Sequence, residues 1–145
     1  VNPAQKGKIV SQDGEILGEH EGIYRFTIGQ RRGLGISSSR RLYVTGFDEE
    51  NNSVIVGDEE DLMSSGLIAG DVNWIAMDEL DHEVEASVKI RYSHDDHRAT
   101  LSSLGNGRIK VSFMHAQRAV TPGQAVVFFK GDEILGGGWI ERAVK

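Results

Sequence analysis

Apolar residues along this chain come in short runs, and where they recur they alternate with polar ones instead of keeping helical spacing. In 84–91, Val84, Ala86, Val88 and Ile90 point one way while Glu85, Ser87, Lys89 and Arg91 point the other, the period of a strand with one buried face. Ile109, Val111 and Phe113 alternate likewise with Arg108, Lys110 and Ser112 after Gly105-Asn106-Gly107. Asn-Gly suits a type I′ turn, whose two central residues take positive φ. Lys8-Ile9-Val10 and Glu15-Ile16-Leu17 flank Gln12-Asp13-Gly14, and Leu42–Phe47 and Val54-Ile55-Val56 flank an acidic turn ending in Asn51-Asn52. Each reads as a hairpin. Val72–Ala76 predicts a further strand, and Ala125–Phe129, apolar on both faces, a buried central one. Thr121-Pro122-Gly123 and Gly131-Asp132 read as turns. Gly136-Gly137-Gly138 precedes a last strand around Trp139 and Ile140 and reads as a tight bend where backbones pack closely. Only Asp58–Leu67 has helical character, predicting one short helix that stops at Gly66 or Gly70.

Turn signals recur about every 8–12 residues, the spacing of β-sandwiches and small barrels, so the fold class is all-β. A length of 145 residues allows one medium domain or two small ones. The acidic stretch Asp78–Glu83 is the best junction, with the boundary between Ile68 and Glu83. The expected division is therefore a first β domain over 1–72 and a second over 73–145, each near the lower size limit for a separate core.

Composition narrows the chemistry. The chain has no cysteine, which excludes disulfides, thiolate metal sites and thiol nucleophiles. No apolar run approaches the roughly 20 residues of a membrane span, and the N-terminus lacks the apolar centre of a signal peptide. A soluble intracellular protein is the expectation. Val1 in place of Met points to a fragment or a processed chain. The net charge of −6 argues against a nucleic-acid partner, but its distribution argues the other way. Between Gly22 and Phe47 stand Arg25, Arg31, Arg32, Arg40 and Arg41 with no acidic residue, while Asp48–Asp61 holds seven acidic residues and no basic one. Beyond the second acidic stretch, Lys89, Arg91, Arg98, Arg108, Lys110, Arg118 and Lys130 outnumber Asp95 and Asp96. Segregated charge can place a basic face on an acidic protein, and local potential steers a polyanion.

The most unusual stretch is Tyr24-Arg25-Phe26-Thr27-Ile28-Gly29-Gln30-Arg31-Arg32-Gly33-Leu34-Gly35. Its glycines let backbone approach a ligand, and Gln30, Arg31 and Arg32 supply donors for phosphate or base edges. His20 lies just upstream. Taken alone, the residues favour the plainer reading, a glycine-rich connection with exposed arginines. Arg91-Tyr92 offers a cation and a stacking ring for RNA, or closes a barrel end. Ser93-His94-Asp95-Asp96-His97 has metal-ligand residue types, but it reads as a polar turn with no distant ligand set. A triad of Ser102, His115 and Asp132 can be assembled on paper only, and no catalytic constellation emerges.

Gly14-Glu15-Ile16-Leu17-Gly18-Glu19-His20-Glu21-Gly22 and Phe26-Thr27-Ile28-Gly29-Gln30-Arg31-Arg32-Gly33-Leu34-Gly35 strongly resemble the central region of bacterial tRNA-specific 2-thiouridylases. The likeness continues in order through Leu42-Tyr43-Val44, Asn52 with Val54-Ile55-Val56-Gly57, Lys89-Ile90-Arg91-Tyr92, Ala119–Val126 and Leu135–Ile140. Each motif is weak; the ordered set is specific. The resemblance implies a cytoplasmic three-part enzyme. An N-terminal PP-loop domain uses ATP to adenylate the wobble uridine (U34) and delivers sulfur from a persulfide donor protein through two cysteines. A small central β domain and a C-terminal β-barrel, similar to a translation-factor barrel, help hold the anticodon arm of the tRNA. This chain looks like those last two parts, so by itself it is expected to bind no cofactor or metal and to be inactive. Carried over by motif, the tRNA contacts fall on Arg91, Tyr92 and Gln124, with Gln30, Arg31 and Arg32 facing the active site and substrate and His20 close by. Where the family often has a cysteine before Leu-Gly-Gly-Gly this chain has Ile134, a change of packing. The rival readings are a free-standing RNA or protein adaptor, a small metal hydrolase built on His94, Asp95 and His97, and a scaffold for the catalytic domain.

Overall fold

Both N-terminal hairpins form. The structure, a computed structural model, describes residues 5–36, 41–90 and 96–145. Strands β1 (Gly7–Ser11) and β2 (Ile16–His20) pair antiparallel, with Gly14 in the connection at φ +89°. Strands β3 (Tyr43–Asp48) and β4 (Ser53–Gly57) do the same, and β4 runs parallel to β1. The sheet order is β2-β1-β4-β3. A four-stranded sheet needs its apolar face covered. Ile9, Val44, Val54 and Val56 form that face, and the segment between β2 and β3 covers it with Leu34, Leu42 and the partly buried Ile23, Phe26, Ile28 and Ile36. The arginine-rich stretch is therefore interleaved: its apolar residues go down onto the sheet and its cations are left outside.

The second unit is a closed barrel of six antiparallel strands in the order β10-β5-β8-β7-β6-β9. These are β5 (Met63–Trp74), β6 (Val84–Ile90), β7 (His97–Gly105), β8 (Arg108–Arg118), β9 (Ala125–Lys130) and β10 (Glu133–Val144). Its core includes Leu67, Ala69, Leu101, Val126, Phe128 and Ile140, together with Ala86, Val88, Ile90, Ile109 and Val111, which the alternation predicts to face inward. Asn106 and Gly107 take φ of 54° and 74°, the type I′ signature expected of the β7–β8 turn. Closure leaves no open edge to be capped.

Four local expectations change. The helix predicted over 58–67 is one turn of 3-10 helix, Glu59–Leu62, followed at once by β5. Leu67 and Ala69 enter the barrel core there, so burial outweighs local propensity. The compact units are Val1–Leu62 and Met63–Lys145, ahead of the expected boundary. The reason is that β5 pairs along its length with β8 and β10 and cannot be divided from them. The acidic stretch 78–83 connects β5 to β6 within the barrel. Strand β9 buries only Val126 and Phe128 fully, while Val127 and Phe129 on its outer face are half-buried.

The glycine run lies inside β10, not before it. A Cβ at Gly136 would stand 2.5 Å from the Asn73 carbonyl oxygen, at Gly137 2.7 Å from that of Val126, and at Gly138 2.6 Å from that of Gly70. The close backbone approach expected of these glycines is present, on both neighbouring strands.

Candidate nucleic-acid interface

In the first unit, the segment from Ile23 begins with one 3-10 turn, Ile23–Arg25. It then docks on β3: Gly29 N donates to Val44 O (2.8 Å) and Val44 N to Gln30 O (2.9 Å). The Gln30 side chain shapes the loop itself. Its Oε1 accepts from Thr27 N (3.0 Å) and its Nε2 donates to Arg32 O (2.8 Å), which uses one of its two amide N–H donors. Gly33 and Gly35 have φ of +73° and +68°; a Cβ would meet only Gln30 Nε2 at 3.8 Å at the first and nothing within 4 Å at the second. Glycine is required there by conformation, not by crowding.

This loop leaves Arg31 and Arg32 exposed. Arg31 and Arg41 flank a cleft of about 330 Å³ whose remaining lining is Gly33, Leu34, Gly35, Ile36 and Leu42, with no carboxylate among the described lining residues. Arg25 points its charge elsewhere, 3.6 Å from Glu21 and over the Tyr24 ring. On the β1–β2 hairpin, the hydrogen bond from Lys8 (2.7 Å) and its charge hold the Glu19 carboxyl below its usual range. The cleft therefore keeps two cations without a neutralising acid in its lining, beside backbone bare enough for an anion to approach.

His20 is not on that surface. It is buried at 3% exposure, with its ring edge-on to Phe26. Gly22 N donates to its Nδ1 (3.0 Å), which leaves the proton on Nε2 to be given to Asn52 O (2.8 Å). Asn52 has φ 52°, and its Nδ2 donates to the carbonyls of Gln5 and Lys6. Together the two residues tie the start of β1, the end of β2 and the β3–β4 turn. His20 thus supports the loop from below. No sequence signal distinguished that role, because its partner lies 32 residues away.

In the second unit, Arg91 and Tyr92 lie outside the described residues, as do Arg40, His94 and Asp95. Of the metal-like stretch, Asp96 stands 3.6 Å from Lys89 and His97 packs edge-on against Phe113; no group of three potential ligands occurs among the described residues. Gln124 closes the Thr121-Pro122-Gly123 turn, with Gly123 at φ +89°. Gly123 N donates to Ile140 O (2.7 Å) and Ile140 N to Gln124 O (2.8 Å), so the turn is fixed to β10. The last described residue before Arg91 is Ile90, paired with Val126, two positions from Gln124. Trp139, opposite Ala125 and 55% exposed, was not foreseen as a surface group. The alternation held the signal: Ile140 is buried, so its neighbour must face out.

Two family models match the chain. The tRNA methyl transferase PRC-barrel domain covers residues 1–58 and the aminomethyltransferase beta-barrel domain residues 64–140. The chain is 50% identical over 138 residues to the tRNA-specific 2-thiouridylase MnmA of Geobacter metallireducens, covering 95% of the chain and 37% of that relative. It is 47% identical over 140 residues to the protein so named in Clostridium botulinum strain Eklund 17B (97% and 39%). In Geotalea uraniireducens the identity is 49% over 138 residues (95% and 36%). The chain thus spans well under half the length of these relatives.

Proposed function

We propose that this chain, which belongs to the tRNA-specific 2-thiouridylase family through its PRC-barrel and β-barrel domains, holds the anticodon arm of tRNA during ATP-dependent 2-thiolation of the wobble uridine. The observation that carries this is the Arg31–Arg41 cleft, cationic and free of described acidic lining in a chain of net charge −6. Arginine forks fit phosphate, and phosphate contacts fix position without reading sequence. Arg91, Tyr92 and Gln124 are the further contacts this reading assigns, and a ring such as that of Tyr92 stacks on a base.

Nucleotide chemistry belongs elsewhere in the enzyme. A triphosphate loop needs backbone N–H groups free at a helix N-terminus, whereas Gly136–Gly138 lie in a strand against neighbouring carbonyl oxygens. With no cysteine in the chain, sulfur transfer from a persulfide donor must also use other residues. A PP-loop catalytic domain is the partner this reading requires, and the chain alone should be inactive.

The test is fluorescence anisotropy of a labelled anticodon stem-loop RNA at low and moderate salt. Exchanging both cleft arginines (Arg31→Ser with Arg41→Ser) should weaken binding about tenfold and flatten the salt dependence by the share of roughly two phosphate contacts. An Arg91→Ala, Gln124→Ala pair should weaken it separately. If the parent chain shows no binding even at low salt, the scaffold reading replaces this one.

A further inference from the structure

One concavity of the barrel lies on its outer wall. Strand register defines it. Phe129 on β9 stands opposite Ser87 on β6, and Ser87 opposite Arg98 on β7. In the next row, Glu85 faces Thr100, which faces Ser112 on β8. The inward neighbours Ala86, Val88, Ala99, Leu101 and Val111 are buried in the core, so these residues point outward. Short hydroxyl side chains (Ser87, Thr100, Ser112) make the floor, and Phe129, Met114, Arg98 and Lys130 rise around it. The enclosed volume is about 430 Å³, within the range of small-ligand sites.

We propose that this groove takes one unpaired nucleotide of the RNA strand, its base against Phe129 and its phosphate on Arg98 and Lys130. The proposal rests on the reading that the chain binds tRNA. Three features favour a nucleotide. The lining offers two cations against one carboxylate, Glu85. The Lys89 ammonium, 3.6 Å from Asp96, lies 5.2 Å from the centre of the Phe129 ring, so this ring already serves as an aromatic surface for a polar partner. The hydroxyl floor can both donate to and accept from ribose and base edges, which a purely apolar ligand would leave unsatisfied. An aromatic face beside cations is the general way single strands are held. Along β9, Phe129 is five residues from Gln124, roughly 17 Å at the strand rise. That is a span of a few nucleotides, so both could touch one strand.

The experiment uses the chain with a labelled anticodon-loop RNA carrying 5-bromouridine. Arg98→Ser removes the phosphate partner, Ser112→Phe fills the groove from an exposed position, and Lys110→Ser removes an equal charge from the same barrel outside it. The expected result is about a fivefold loss of affinity for Arg98→Ser and Ser112→Phe, less than twofold for Lys110→Ser, and photo-cross-linking to the Phe129 or Met114 peptide. Thermal unfolding unchanged from the parent establishes that the variants are folded. Equal losses for Arg98→Ser and Lys110→Ser, with Ser112→Phe indifferent, would mean a diffuse field only and overturn the site. A parent chain that binds RNA while ignoring all groove variants overturns this inference alone; one that binds no RNA overturns both readings.

Discussion

Alanine in place of Gly136 should cost the barrel about 3 kcal/mol, the upper end of what overpacking a rigid site costs. The added methyl would stand 2.5 Å from Asn73 O, 2.8 Å from Trp74 Cε3 and 3.0 Å from Trp74 Cα. Two of those atoms are backbone of β5, which the β7–β8 turn holds close by through the hydrogen bond from Val72 N to Gly107 O (3.1 Å), so the strand cannot simply retreat. The third belongs to the ring that packs 5.7 Å from Phe128 in the core. For a unit of this size the loss corresponds to a fall in melting temperature of roughly 12–24 °C. Gly46→Ala supplies the control, since a Cβ there meets nothing within 4 Å and should change stability by under about 0.5 kcal/mol. Calorimetry on both variants decides the matter: a Gly136→Ala barrel that melts with the parent would mean β10 can shift, and the rigidity assigned to it is wrong.

His20→Ala is expected to unfold the first unit while the barrel persists. The substitution strands the carbonyl of Asn52 and the amide of Gly22, both in buried residues. At about 1–3 kcal/mol for each unsatisfied group, the two together cost about 2–6 kcal/mol before the lost contact with Phe26 is counted. A unit of some 60 residues has little stability to spare. His20→Asn should be intermediate, because a short amide oxygen can still accept from Gly22 N but cannot reach Asn52. Hydrogen exchange separates the units: protection in β1–β4 should vanish while β5–β10 keep theirs. RNA affinity carried by Arg31 and Arg41 should fall with the loop that holds them. Retained protection in β1–β4 would show that water or a rearranged side chain replaces the imidazole.

Both results bear on where function resides in this chain. The residues that present charge, Arg31, Arg41 and Arg98, sit on surfaces whose own side chains contribute little to stability. The residues that shape the Arg31–Arg41 surface, His20, Asn52 and Gln30, are polar groups that hold backbone. Substituting the second kind should alter binding through folding, and substituting the first kind should alter binding alone.

Local pattern was enough to determine the all-β class, both N-terminal hairpins, the inward face of β6 and β8 and the Asn106-Gly107 turn. Each follows from a period of two or from φ preferences that neighbours in sequence settle. The ordered motifs were enough for the family. Tertiary structure alone decided that Met63–Trp74 is one barrel strand, because the burial that overrides its opening helical pattern comes from β8 and β10, distant in sequence. Only the fold shows that Gly136–Gly138 run within a strand, that Gln30 bonds back to its own loop, that His20 turns inward, and that Ser87, Arg98, Ser112 and Phe129 share one groove. Those facts depend on which strands become neighbours and in what register, and a one-residue slip would send every such side chain to the opposite face.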